Sequence, residues 1–202
     1  MAALVVTTGL PAWGASAKTP RGDAAPCEPS PVIRGIDWAP ADTIVRAAKD
    51  GDNWPLTWAD DDALYTTWGD GTGFPPKVER KLSCGFARVT GLPDNFTGVN
   101  IRSDAEQLGD GRRGKKGWGI LSVGGTLYLW LGHADRNGAA AQLAWSRDHA
   151  RTWTFADWQF AEFGLLGFVN FGRDYAGARD EFVYCYSHDG PRADTPADRF
   201  VL

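Results

Sequence analysis

Three aspartates stand where hydrolytic chemistry would need them. Asp52, Asp70 and Asp174 each lie beside a glycine or an aromatic residue, at the entry or exit of a strand-like run. Two carboxylates facing one bond can divide its hydrolysis: one protonates the leaving oxygen, the other attacks or activates water. Asp52 is expected to be the base or nucleophile, because Asp52-Asn53-Trp54-Pro55 leads into an inner strand. Asp174 is expected to be its acidic partner. Asp70 is the third catalytic candidate, although Gly69-Asp70-Gly71 also reads as an ordinary turn. Asn53, Trp54, Trp68, Trp118, His133, Asp135, Arg173 and His188 are the expected substrate-binding residues. The indoles would stack on apolar ring faces, as Phe74 could, and the polar side chains would supply hydrogen bonds. No CxxC, HExxH or similarly tight ligand spacing occurs, so neither metal nor cofactor is expected.

The elements that must position these residues read as strands. Helical periodicity is weak, and its best stretch, Ser103 to Leu108, is barely two turns long. Strand signals recur in a fixed order instead. The first unit is Trp54–Trp58, a turn at Asp60-Asp61-Asp62, then Leu64–Asp70, a long loop and Cys84–Val89. The second is Gly117–Val123, a turn at Gly124-Gly125, then Leu127–His133, a loop and Gln142–Ser146. The third is Tyr175–Ala178, a turn at Arg179-Asp180-Glu181, then Phe182–His188, a loop and Arg199–Leu202. Tyr65, Tyr128 and Tyr184 occupy the same place in each unit. A further strand is expected at Thr43–Ala47.

Repeated hairpin-plus-strand units of this kind predict an all-β fold, a β-propeller of five or six blades with about three present. Three blades cannot close a ring, and the third unit stops within a strand. The chain is therefore expected to be the N-terminal part of a longer propeller, occupying residues 32–202. In such a fold the short hairpins point to one face. The loops that enter first strands and leave second strands converge on the other. That sorting puts Asp60, Asp61, Asp62, Asp180 and Glu181 on the hairpin face. It puts Asp52, Asn53, Asp70, His133, Asp135, Asp174 and His188 on the opposite, working rim.

Composition agrees with a turn-rich β protein. The 202 residues include 25 Gly, 12 Pro and 10 Trp. A net charge of −4 argues against nucleic acid as a partner. The basic run Arg112-Arg113-Gly114-Lys115-Lys116 reads as a solvated loop. Met1–Ala17 is apolar, then small, and ends in Ala15-Ser16-Ala17, which fits a signal peptide with a shortened start. Lys18–Pro31 reads as a linker. The expected location is outside the cell or in the periplasm, and no stretch is long enough to span a membrane. The three cysteines, Cys27, Cys84 and Cys185, are too few and too far apart for a disulfide framework.

Two resemblances add to this. Ser146-Arg147-Asp148-His149-Ala150-Arg151-Thr152-Trp153 resembles the Asp-box of sialidase-like propellers, S-x-D-x-G-x-T-W, with Ala150 in place of Gly. That box is structural, so it implies a fold rather than a role for Asp148. Asp52–Asp61, Leu64-Tyr65, Trp68–Gly71, Asn170–Asp180 and Asp198–Leu202 together resemble the family called domain of unknown function 4185. The resemblance implies a secreted propeller similar to sialidases and arabinan-cleaving glycosidases. Relatives in glycoside hydrolase family 183 are endo-acting D-arabinanases. The expectation is a monomeric glycoside hydrolase acting on a furanoside or another cell-surface polysaccharide. A sialidase would need an arginine cluster, and only Arg136 and Arg173 are near the rim. The alternatives are a non-catalytic propeller that binds glycan or protein on the same face, and an inactive truncated product.

Overall fold

In the computed structural model of the chain, residues 28–196 and 199–202 are described. The expected leader at Met1–Ala17 and most of the expected linker therefore lie outside the described residues. The chain divides into two compact units, one ending at Val45 and the other running from Arg46 to Leu202. In the first, the described residues are exposed, and their one helical turn is a short 3-10 segment at Ala41–Thr43. The strand expected at Thr43–Ala47 does not form.

The second unit is all-β, with three antiparallel sheets and no α-helix among the described residues. The first sheet comprises β1 (Leu56–Trp58), β2 (Leu64–Trp68), β3 (Gly85–Thr90) and β4 (Thr97–Ile101), in that spatial order. The second comprises β5 (Lys116–Val123), β6 (Thr126–Gly132), β7 (Ala141–Ser146) and β8 (Thr154–Phe155), again in order. The third has β9 (Leu166–Phe168), β10 (Cys185–His188) and β11 (Phe200–Val201). Three successive meanders are compatible with a propeller-like fold. Among the described residues, no helix is long and apolar enough to cross a membrane. The helical candidate at Ser103–Leu108 is a turn, held by a two-pronged Arg102–Glu106 pair.

Strand alternation explains how the sheets stack. On β6, Leu127, Leu129 and Leu131 share one face and meet Tyr65, Cys84 and Phe86 of the first sheet in a common core. Trp130 points the other way and packs with Leu166, Phe168 and Cys185 of the third. β6 is thus apolar on both sides because it has a neighbouring sheet on both sides. Trp153, from the Asp-box, closes the first core against Phe86 at 5.2 Å between ring centroids.

The repeat is visible in the hairpins. Asp61 accepts hydrogen bonds from the Ala63 amide and the Tyr65 hydroxyl, and Asp180 does the same for Phe182 and Tyr184. The second sheet has Gly124 where the others have aspartate, and its hairpin amide at Gly125 is capped by Asp174 instead. Tyr65 is pushed up to about 12 by burial and by the Asp61 carboxylate.

The Asp-box folds into a tight hydrogen-bonded turn. Asp148 accepts from the Ser146 hydroxyl, the Arg151 amide, and both the amide and hydroxyl of Thr152. Burial opposes its ionisation, but these donors outweigh it and hold the carboxyl at about 2, below its ordinary 3.8. A depressed carboxyl stabilises the fold above its unfolded value, and that stability is lost as pH falls through the folded one. Urea titrations should therefore show stability level above pH 4 and falling toward pH 2. Thr152→Val should remove about 1 kcal/mol of that acid-sensitive stability, a figure reduced for solvent screening at a partly exposed group. An unchanged acid limb in Thr152→Val would count against the Asp148 assignment.

Candidate functional site

One end of the sheets gathers most of the expected rim residues. The segments before β1 and after β2 continue side by side: Asp52 and Gly69 exchange both backbone hydrogen bonds at 2.8 Å. Glycines make that approach possible. A Cβ on Gly71 would lie 2.5 Å from the Gly51 Cα. Next to this crossing, the missing side chain of Gly69 leaves Asp52 Oδ1 only 3.3 Å and Lys116 Cδ 3.7 Å from where a Cβ would stand. Asp70 follows directly and forms an ion pair with Lys116 Nζ. Asp52, Asp70 and Lys116 thus converge around Gly69.

The second sheet supplies the neighbouring wall. Asn53 Nδ2 donates to the Gly117 carbonyl at 3.4 Å. A β-bulge falls between Gly117 and Gly119, making Trp118 the extra residue of β5. Its indole lies directly over Gly132, where a Cβ would be 1.3 Å from Nε1. The ring meets His133 edge-on at 5.3 Å, and His133 Nδ1 bonds the Gly114 carbonyl at 3.0 Å. A cavity of about 320 Å³ opens beside them, lined by Lys116, Trp118, His133, Arg112 and Asp194. The loop after β10 reaches this wall through Arg112–Asp194 and through Arg192, which donates to the Asn137 carbonyl.

Three rim residues hold left-handed backbone: Asn53 at φ 58°, Asp70 at 51° and His133 at 53°. Non-glycine residues rarely adopt it, and such backbone is retained where the surroundings impose it, often at functional positions.

Lys116 is the residue that sequence reasoning misplaced. The basic run is not uniformly solvated: Arg112 and Arg113 are exposed, whereas the Lys116 side chain is only 8% exposed. No local signal separates Lys116 from the rest of the run, because its burial comes from the sheet packed over it. Lys115, half-buried, has its ammonium pushed down by burial and by Arg136.

Other expectations are corrected. Asp174 does not enter an inner strand. Tyr175–Ala178 is not one: Arg173–Tyr175 is a 3-10 turn, and the strand pairing with β10 is β9. Asp174 therefore lies on the β9–β10 connection, at the hairpin end. It accepts from Ser122 Oγ at 2.7 Å and the Gly125 amide at 3.0 Å. Asn53 touches β5 at Gly117 and Asp174 touches it at Ser122, so the two ends are about 16 Å apart at roughly 3.3 Å per residue. That is too far for Asp52 and Asp174 to act on one bond, since glycosidase carboxyls stand about 5–9.5 Å apart. Arg173 goes with Asp174, donating to the Asp60 carbonyl at 2.6 Å.

Trp68 is 1% exposed and offers no face to a ligand. Trp54 is half-buried and stacks on it at 6.0 Å, with buried Phe74 edge-on at 5.3 Å. His188 is buried, its Nε2 engaged with the Arg192 carbonyl at 2.7 Å. Asp135 is exposed and holds its own loop through the Asn137 and Ala139 amides.

For metals, Asp60, Asp61 and His149 are, among the described residues, the group with ligand atoms within 4.8 Å of one another. They lie at the hairpin end, where Asp60 is paired with His149 and Asp61 with Arg88 and Tyr65. Those pairings account for the grouping. Cys84 is fully buried and its thiol is pushed up to about 11 by burial, so it is a packing residue. A scan against protein-family models and a search of curated proteins find no match to this chain.

Proposed function

We propose that the three sheets are successive blades of an exported β-propeller that hydrolyses a polysaccharide, with Asp52 and Asp70 as the carboxylate pair. The observation that carries this reading is the convergence of Asp52 and Asp70 around Gly69, beside a cavity walled by Trp118 and His133. Asp52 is exposed and free to meet a substrate oxygen. Asp70 is anchored by a cation. A bond placed between them would meet two carboxyl groups, and its cleavage needs one of them protonated to give a proton to the leaving oxygen and the other ionised to attack or to activate water. Trp118 offers an indole edge and His133 a polar ring to an adjoining sugar. The apolar, small-residue start of the chain supports export, and the resemblance to domain of unknown function 4185 supports a furanoside substrate.

The test is release of reducing ends from soluble D-arabinan by the full chain. Wild type should cleave it, and Asp52→Asn should lose at least about 100-fold in kcat, the scale of a general acid or base. Arabinan binding without turnover in wild type would replace this reading with that of a glycan-binding propeller.

A further inference from the structure

We infer that Lys116 is a positioning residue that fixes the Asp70 carboxylate in the site around Gly69, an inference that rests on the hydrolase reading for its kinetic consequence. Lys116 is one of the buried charged residues of the described structure, with a side chain 8% exposed. Burying an ammonium costs free energy unless a counter-charge faces it. Here the facing group is Asp70, joined to it as an ion pair, and Lys116 Nζ makes no hydrogen bond of regular geometry to any described group. The stem is held on both sides. Lys116 is backbone-paired with Gly132 in the β5–β6 ladder, and its Cδ passes 3.7 Å from the Gly69 Cβ position.

The carboxylate end is less constrained by packing. Asp70 is 31% exposed, and its backbone is left-handed. An aspartate on such a turn, with solvent on one side, would sample several rotamers unless a fixed charge selected one. Lys116 selects the rotamer that faces the interior. Because the lysine belongs to the second sheet and Asp70 to the first, the ion pair also ties the geometry of the site to the packing of the two sheets. Lys116 also lines the cavity beside Trp118 and His133, but its ammonium is turned to Asp70, through which it acts.

Three proteins decide the matter: wild type, Lys116→Met, which keeps the stem and removes the charge, and Lys116→Arg, which restores it. With D-arabinan as the substrate, Lys116→Met should lower kcat about 100-fold while KM moves by less than about threefold, because misplacement by about an ångström is paid in the transition state. Lys116→Arg should recover at least about tenfold. Equal kcat in wild type and Lys116→Met, or a loss lying wholly in KM, overturns the inference. A second readout is independent of turnover: the side-chain carboxyl carbon of Asp70 in 13C NMR at pH 7, assigned with Asp70→Asn. Its resonance should move and broaden in Lys116→Met and return toward wild type in Lys116→Arg, with that of Asp52 steady. An unmoved Asp70 signal overturns the inference even if arabinan is cleaved. A moved signal supports it even if arabinan is not, in which case the hydrolase reading alone has failed.

Discussion

Replacing Asp70 by asparagine is expected to cost about 3 kcal/mol of folding stability, whereas the same change at Asp52 should cost under about 0.5. The contrast follows from the partners. Asp52 is exposed, and the backbone bonds that hold it to Gly69 survive the substitution. Asp70 faces a lysine with a side chain only 8% exposed. Asparagine keeps the shape of Asp70 but removes its charge, leaving a buried ammonium without compensation. Breaking one side of such a pair costs more than the pair is worth, because the survivor retains its desolvation penalty. Removing both charges should therefore be gentler than removing one. Asp70→Asn combined with Lys116→Met should return to within about 1 kcal/mol of wild type. Urea unfolding of the four proteins closes the cycle, and the coupling it yields should be large and of opposite sign to the single Asp70 effect. If Asp70→Asn proves as mild as Asp52→Asn, Lys116 is not paired as described.

The second large effect lies away from the carboxylates. Gly85→Ala should destabilise the unit by about 3 kcal/mol or more, lowering Tm by roughly 6–12 °C. Gly85 is the cross-strand partner of Trp68, and the indole lies flat over it. An added Cβ would stand 2.3 to 2.6 Å from three ring atoms. The ring has no retreat. Trp54 stacks on it at 6.0 Å, and a Cβ on Gly73, on another side, would already be 2.5 Å from the same ring. The clash must be relieved by moving a fully buried tryptophan or by opening the β2–β3 ladder. Gly167→Ala is the matched control, because a Cβ there meets nothing within 4 Å. It should change stability by no more than about 0.5 kcal/mol. Equal melting of the two variants would show that the Trp68 packing has been misread.

These two sites differ in how far the sequence reveals them. The hairpin around Asp61 and Tyr65 is legible because its cues are local: a turn-forming aspartate, then alternating apolar residues ending in an aromatic one. The Gly124-Gly125 turn and the Asp-box are legible for the same reason, and each folds at its expected place. The third unit misleads because Tyr175–Ala178 has strand-like composition, while the true inner strand is only Leu166–Phe168, with a glycine at its centre. So short a strand carries no usable periodicity. It becomes a strand by pairing with Cys185–Ser187 and packing on β5. Asp174 moved from the rim to the hairpin end with that correction, and Arg173 moved with it.

Sequence alone determined that the chain is β-rich, that its units repeat, and that Asp52, Asn53, Asp70 and His133 cluster at strand ends. Those are consequences of periodicity and turn chemistry, which act over a few residues. Tertiary structure decided which carboxylate pairs with a buried cation, which tryptophans keep a free edge, and which lysine of a basic run is buried. Each of those depends on contacts between segments far apart in the chain: Gly51 against Gly71, Trp118 over Gly132, Lys116 against Asp70. Whether a lysine is solvated is a property of the sheet packed above it, and no neighbour in sequence carries that information.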